Sequence, residues 1–224
     1  MAGAMALIVK TALADQIIDV LRARIVAGDL AADAPIRQDA LAAEFGISKI
    51  PLREALARLE RDGLVVSERN RGYVVRPLTA AEAYDVFDLR LKIEPDAVAA
   101  AATCLGPADV EAGRDALAAL GAAAAAHDGR AGALNRAFHM ALIRPGGRPV
   151  TQQMAERLHT ISERYVVRHL APAGRADRAL VEHAALFEAW SRGDAARAGT
   201  LSSAHIAATL ADLRAEFERA GTAP

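Results

Sequence analysis

The sequence predicts a mainly α-helical protein, with a small N-terminal part carrying one β-hairpin and a larger all-helical bundle behind it. Three observations point there. The 224-residue chain is 53% hydrophobic but only 4% aromatic, and much of its apolar content is alanine, which suits closely packed helices better than sandwiches or barrels. Apolar residues recur at helical spacing in a series of segments separated by Gly- and Pro-containing breaks. The two strand-prone runs, Leu64-Val65-Val66 and Tyr73-Val74-Val75, lie close together and early.

Residues 38–76 predict a helix, a tight turn, a second helix and a hairpin, which is the outline of a winged helix-turn-helix. Leu41 and Phe45 lie one turn apart on the first helix, and Gly46 supplies the permissive backbone that ends it. The second helix should begin at Lys49, with Ser48 as N-cap bonding an orphan N–H and Pro51 in the first turn, where its missing donor costs little. Leu52, Ala55, Leu56 and Leu59 then form one apolar stripe, leaving Ile50, Arg53 and Ala57 outward. The hairpin tip carries Arg69 and Arg71 beside Gly72, so guanidinium groups can meet phosphates where the backbone approaches closely. A solvated basic turn is the bland alternative for such a hairpin alone. Behind this helix pair, double-stranded DNA is the partner to expect.

Arg76-Pro77-Leu78 ends the hairpin, and Thr79-Ala80-Ala81-Glu82 reads as a capping box opening a new helix. The expected domains are therefore 1–77 and 78–224. The new helix should turn Val86, Leu89 and Ile93 inward and bend near Pro95. Further helices are expected at about 108–126, 131–143, 150–169, 175–191 and 195–220. The breaks between them include His127-Asp128-Gly129, Pro145-Gly146-Gly147, Pro172-Ala173-Gly174 and Gly193-Asp194. The sum is an all-helical bundle of about six helices.

Bulk charge is uninformative: residues 1–78 carry 11 Lys and Arg against 10 Asp and Glu, and the remainder 16 against 18. Placement matters more, with Lys49, Arg53, Arg69 and Arg71 expected to project from the second helix and the wing while many acids lie elsewhere on the domain. The lone Cys104 excludes an internal disulfide framework and a cysteine zinc site, and fits a reducing cytoplasm. No stretch is long and apolar enough to suggest a membrane span, and Met1–Val9 lacks the features of a signal peptide, so a cytoplasmic location is expected. Neither a phosphate-binding glycine loop nor a nucleophile elbow is present, and no catalytic residue is assigned.

The second half carries a suggestive set of histidines. His139, His183 and His205 each lie mid-helix between apolar flanks, and Asn135 stands one turn before His139. Three imidazoles and an amide oxygen could cage a divalent ion such as zinc, nickel or manganese. Satisfied core histidines are the commoner fate of such residues, and spacing alone does not bring three helices together. His127, His159 and His169 stand near helix ends or on polar stretches and read as surface residues.

The segments LRARIVAGDL at 21–30, LAAEFGISKIPLREALARLERDGLV at 41–65 and NRGYVV at 70–75 resemble the GntR-type bacterial transcription regulators, in particular the FadR-like subfamily. The subfamily pattern Ser-Arg-Thr-Pro-Val-Arg-Glu stands here as Ser48-Lys49-Ile50-Pro51-Leu52-Arg53-Glu54. Lys49 keeps charge but loses the bidentate fork that reads guanine, and Ile50 offers only apolar contact, for instance to a thymine methyl. A basic residue is frequent in the family where this chain has Asp39, and Arg37 could partly substitute. The second half is similar to the helical FCD effector domain of that subfamily, through Arg90 and Glu94, Phe138-His139, Glu182-His183 and His205-Ile206. In many members an Asp and three His bind a divalent cation and a small carboxylate completes its shell. The resemblance maps three ligands onto His139, His183 and His205, and the Asp onto Asn135, which weakens and neutralises one donor.

The resemblance implies a ligand-responsive homodimeric regulator, commonly a repressor, reading a pseudo-palindromic operator. Arg90 is a candidate contact for the effector carboxylate, with a helix pair to Glu94 as the competing reading. Two rivals remain at this point. One is a constitutive DNA-binding dimer with plain core histidines, the other a metal-dependent hydrolase, against which Glu182 counts as turned away from the three histidines by its place beside His183.

Overall fold

The computed structural model describes residues 2–126, 130–170 and 174–221, and the side chains of these except 2–12 and 168–170. The breaks expected at His127-Asp128-Gly129 and Pro172-Ala173, and the side chain of His169, lie outside that description. The chain divides into two compact units, Met1–Pro77 and Leu78–Pro224.

The first unit holds three helices, α1 (Ala2–Ala27), α2 (Gln38–Phe45) and α3 (Lys49–Arg61), and the antiparallel strands β1 (Val65–Glu68) and β2 (Gly72–Val75). No helix was expected ahead of residue 38, so α1 is an addition to the sequence reading. Its Ile17, Leu21 and Ile25 meet Leu52, Leu56 and Leu59 of α3 in the core of the unit, which is the stripe expected from the i, i+3, i+4, i+7 spacing. Gly46 ends α2 in the left-handed region at φ 63°, where a Cβ would be strained. Ser48 does occupy the N-cap of α3, but its hydroxyl makes no capping hydrogen bond. A segment unmarked by any strand pattern also joins the hairpin: Ile36 N–H donates to the Tyr73 carbonyl at 2.7 Å and Val75 N–H to that of Ala34 at 3.1 Å.

The second unit is built from α4 (Ala80–Ala102), α5 (Pro107–Ala125), α6 (Ala131–Ile143), α7 (Pro149–Leu170), α8 (Arg175–Ser191) and α9 (Ala195–Arg219), with a 3₁₀ turn at Arg144–Gly146. Helix α4 packs along α9 and against α6 and α7, so it runs through the middle of the bundle. It continues through Pro95, where a bend was expected, to Ala102.

Two expectations on α4 need correction. Leu89 is exposed and Ile93 only half-buried, while Ala83, Phe87, Arg90, Glu94, Ala97 and Ala101 are buried. The inward face is thus rotated by about one residue and carries an ion pair, so hydrophobicity alone misplaced it. At the N-terminus, Thr79 Oγ1 accepts from the Glu82 N–H at 3.2 Å as predicted. The reciprocal half of the capping box is relayed: Thr79 N–H donates to the Tyr165 hydroxyl at 3.1 Å, which donates to Glu82 Oε2 at 2.8 Å.

Candidate functional site

In the first unit the residues expected to meet DNA lie on exposed surface. Ile50 is 62% exposed. Arg37, Arg53 and Arg69 are exposed and enter no ion pair among the described residues. Asn70 and Gly72 hold the hairpin tip in left-handed conformations at φ 68° and 72°. Many acids were expected to lie elsewhere on the domain, but three stand beside Lys49 and Arg71. Lys49 Nζ pairs with Asp39. Arg71 reaches Glu68 Oε2 at 2.6 Å and Asp33 Oδ1 at 3.4 Å, and donates to the Asp33 carbonyl at 2.9 Å. Half of the four expected cations are therefore locally balanced.

In the second unit His139 of α6, His183 of α8 and His205 of α9 converge, with one ligating atom from each lying within 4.8 Å of the others. All three are buried. His183 Nε2 and His205 Nε2 are 3.2 Å apart, whereas His139 Nε2 and His183 Nδ1 are buried without a hydrogen-bond partner. Desolvation, then the neighbouring imidazoles and Arg90, holds the His139 ring well below the ordinary histidine range. Burial, followed by His205 and Arg90, does the same to His183. Both rings are neutral near pH 7, the state a metal ligand requires. Asn135, also buried, lines the same small cavity of about 20 Å³ as His183, His205, Arg90, Arg178 and Thr209. That is room for one ion or one water.

Against this cage lies a second buried polar cluster. Arg90 Nε donates to Glu94 Oε1 at 2.6 Å and a second nitrogen to Oε2 at 3.3 Å, while its third nitrogen donates to Ser162 Oγ at 3.3 Å. The helix pair held open beside the effector reading of Arg90 is thus formed, yet the guanidinium still borders the cavity. His159, expected at the surface, is 1% exposed; its ring stacks on His139 with centroids 4.9 Å apart and its Nε2 is 3.2 Å from Glu94 Oε2. Burial alone would raise the Glu94 carboxyl, but Arg90 and then His159 hold it at about 2. Ala155, His159, Ser162 and Val166 fall at i, i+4, i+7 and i+11 on one buried face of α7. That spacing was the available signal, hidden because two of the four inward residues are polar.

Glu182 also departs from expectation. It is turned from His183, but it reaches across to α9, where its Oε2 lies 2.7 Å from His205 Nδ1. Adjacency on one helix gave no information about a neighbour on the next. Taken together, the donor set fits a divalent ion: three buried imidazoles, an amide oxygen nearby, orphaned ring nitrogens, and a carboxylate hydrogen-bonded to one ligand.

Comparison with known proteins agrees with both units. Residues 13–75 match the model of bacterial regulatory proteins, gntR family, and residues 85–208 that of the FCD domain. The chain is 30% identical over 199 residues to the HTH-type transcriptional repressor GlaR of Escherichia coli K12, covering 83% of this chain and 89% of that protein. The Nta operon transcriptional regulator of Aminobacter aminovorans is 30% identical over 129 residues, which are 58% of this chain and 60% of that protein. Among solved structures, E. coli McbR/YncC superposes with a TM-score of 0.78 at 21% identity, covering 92% of this chain and 98% of that one. A putative transcriptional regulator GntR from Rhodococcus sp. RHA1 gives 0.75 at 22% identity, over 89% and 96%. At such identities these structures speak for the fold.

Proposed function

The chain belongs to the GntR family of bacterial regulatory proteins and carries an FCD domain, and on that premise we propose that it is a ligand-responsive repressor whose helical unit binds a divalent metal ion and a small carboxylate. That it is a DNA-binding transcriptional regulator and not an enzyme follows from the family and from relatives named regulators and repressors. The observation that carries the metal reading is the convergence of His139, His183 and His205 with buried ring nitrogens that lack protein partners. A satisfied core histidine would have both nitrogens engaged, because a buried polar atom without a partner costs about 1–3 kcal/mol.

In this reading His139, His183 and His205 hold the ion, with Asn135 as a weak fourth donor. The metal would supply a fixed positive charge, offset by no carboxylate among its direct donors, that attracts an anion. Arg90 stands at the same cavity as a second cationic group. An effector changes DNA affinity only by binding two arrangements differently. Helix α4 offers a route, since it carries Arg90 and Glu94 and starts at Thr79, directly after the junction with the first unit. In the first unit, Arg37, Ser48, Lys49, Ile50 and Arg53, with Arg69, Arg71 and Gly72 of the wing, make the DNA face. Two such units in a cytoplasmic homodimer would read a pseudo-palindromic operator.

The test is selection of DNA fragments by the purified protein, repeated with chelator and with a panel of organic acids. Enrichment of one palindromic family is expected, with an acid response that chelation removes. No enrichment over random DNA at moderate salt refutes the operator. An acid response indifferent to chelator refutes the metal.

A further inference from the structure

Glu182 lines the same cavity as His183, His205 and Arg90, and its carboxylate meets the proposed ligand His205 at Nδ1, the ring nitrogen opposite Nε2. From that contact we infer that Glu182 is the positioning residue of the cage: it fixes the tautomer of His205 and returns, from behind the ligands, the negative charge that Asn135 omits. The inference rests on the metal reading above.

Begin with the proton. A carboxylate can only accept, so at 2.7 Å the His205 Nδ1 must donate to Glu182 Oε2. In the neutral ring this leaves the lone pair of His205 on Nε2, facing the cage. His183 Nε2, 3.2 Å away, then donates to it, which puts the lone pair of His183 on Nδ1, the nitrogen buried without a partner. His139 Nε2 is likewise unpartnered. One anchored carboxylate therefore sets His205 directly and His183 through it. His205 Nε2, and His183 Nε2 once the His183 proton has moved to Nδ1 of the same ring, would be the atoms free to hold a divalent ion.

Charge follows the same line. Asn135 contributes no negative charge, so a divalent ion among His139, His183 and His205 has no anionic ligand from the protein. Glu182 is the acid that hydrogen-bonds to one of these rings among the described residues. It is itself held by α8, where Arg178 Nε lies 3.5 Å from its other oxygen, and Arg178 is tied in turn to Asp212 of α9. The carboxylate is thus oriented from both helices that bring His183 and His205 together. Carboxylates placed behind metal-ligating histidines commonly change metal affinity by about 10–100-fold.

The variants separate orientation from charge. E182Q keeps an acceptor for His205 Nδ1–H and removes the charge; E182L removes both; E182D tests rescue. Zinc affinity is read by competition with a chromophoric chelator, and the His205 tautomer in metal-free wild-type protein by long-range ¹H–¹⁵N NMR. We expect Nδ1–H at His205, a loss of about 10–100-fold in zinc affinity for E182L, a smaller loss for E182Q and recovery toward wild type for E182D. A His205 with its proton on Nε2 overturns the inference without any variant, so misfolding of E182L cannot shield it. Zinc binding by E182L within twofold of wild type overturns it alone. Wild-type protein that takes up no zinc overturns the metal reading and this inference with it.

Discussion

Glu94 is the point at which the buried network can be broken most cleanly. It is fully buried, its partner Arg90 is 2% exposed, and the two share contacts of 2.6 and 3.3 Å. Replacing Glu94 by Gln leaves the Arg90 charge without its counter-ion, and uncoupling a buried pair in this way costs about 3–5 kcal/mol. The ledger differs for the double variant R90M/E94L, which removes both charges and fills similar volume. It forfeits only the hydrogen bond from Arg90 to Ser162 and the contact to His159, so about 1–2 kcal/mol is expected. The difference is a coupling of several kcal/mol, and the assay has a natural probe. Trp190 is the single tryptophan and is fully buried in the second unit, so its fluorescence during urea unfolding reports that unit alone. Measurements belong at pH 7 with chelator, where metal does not add its own stabilisation. An E94Q cost below about 1 kcal/mol, or a double variant as unstable as E94Q, would refute the claim that the pair acts as one buried unit.

Four further outcomes are expected. The Glu94 carboxyl, held at about 2, contributes stability that is complete above its ordinary value of 4.5 and is lost as pH falls toward 2. His139 and His183 are lowered, so the unfolded chain binds their protons first and stability should begin to decline below about pH 6.5; a Trp190 unfolding midpoint that stays flat from pH 7 to 5 would contradict this. N135D should raise zinc affinity by adding an anionic donor and should weaken carboxylate binding by lowering the net charge of the centre, both read by calorimetry; unchanged values in both titrations would count against Asn135 as a donor. D39A should release Lys49 to phosphate, tightening binding to random DNA and steepening the dependence of log K on log salt by about 0.9; an unaltered slope would mean that Lys49 makes no phosphate contact.

The first unit was largely legible because its information is local. The α3 stripe, Gly46 and the paired strand runs each depend on residues a few positions apart, and the structure forms them as read. What was not legible depended on partners distant in sequence. The Ala34–Ile36 segment pairs with β2 through backbone groups, which no side-chain pattern announces. Tyr165 enters the Thr79 cap from 86 residues away. On α4 the hydrophobic count placed Val86 inward correctly but took Leu89 and Ile93 with it, because a buried Arg-Glu pair scores as surface until its two charges are seen to satisfy each other.

The same limit explains the site, and it bears on what the histidines are for. Sequence could name His139, His183 and His205 but counted His159 as surface and Glu182 as irrelevant, since each acts across a helix boundary. Once assembled, the centre is expensive. Two imidazoles are driven well below their ordinary range, an arginine and a glutamate are desolvated, and several ring nitrogens are left without partners. A constitutive DNA-binding dimer has no use for that cost. The proposed binding of an ion and an anion would give that cost a use, and the buried Arg90–Glu94 pair sits on α4, the helix that follows directly on the first unit in the chain.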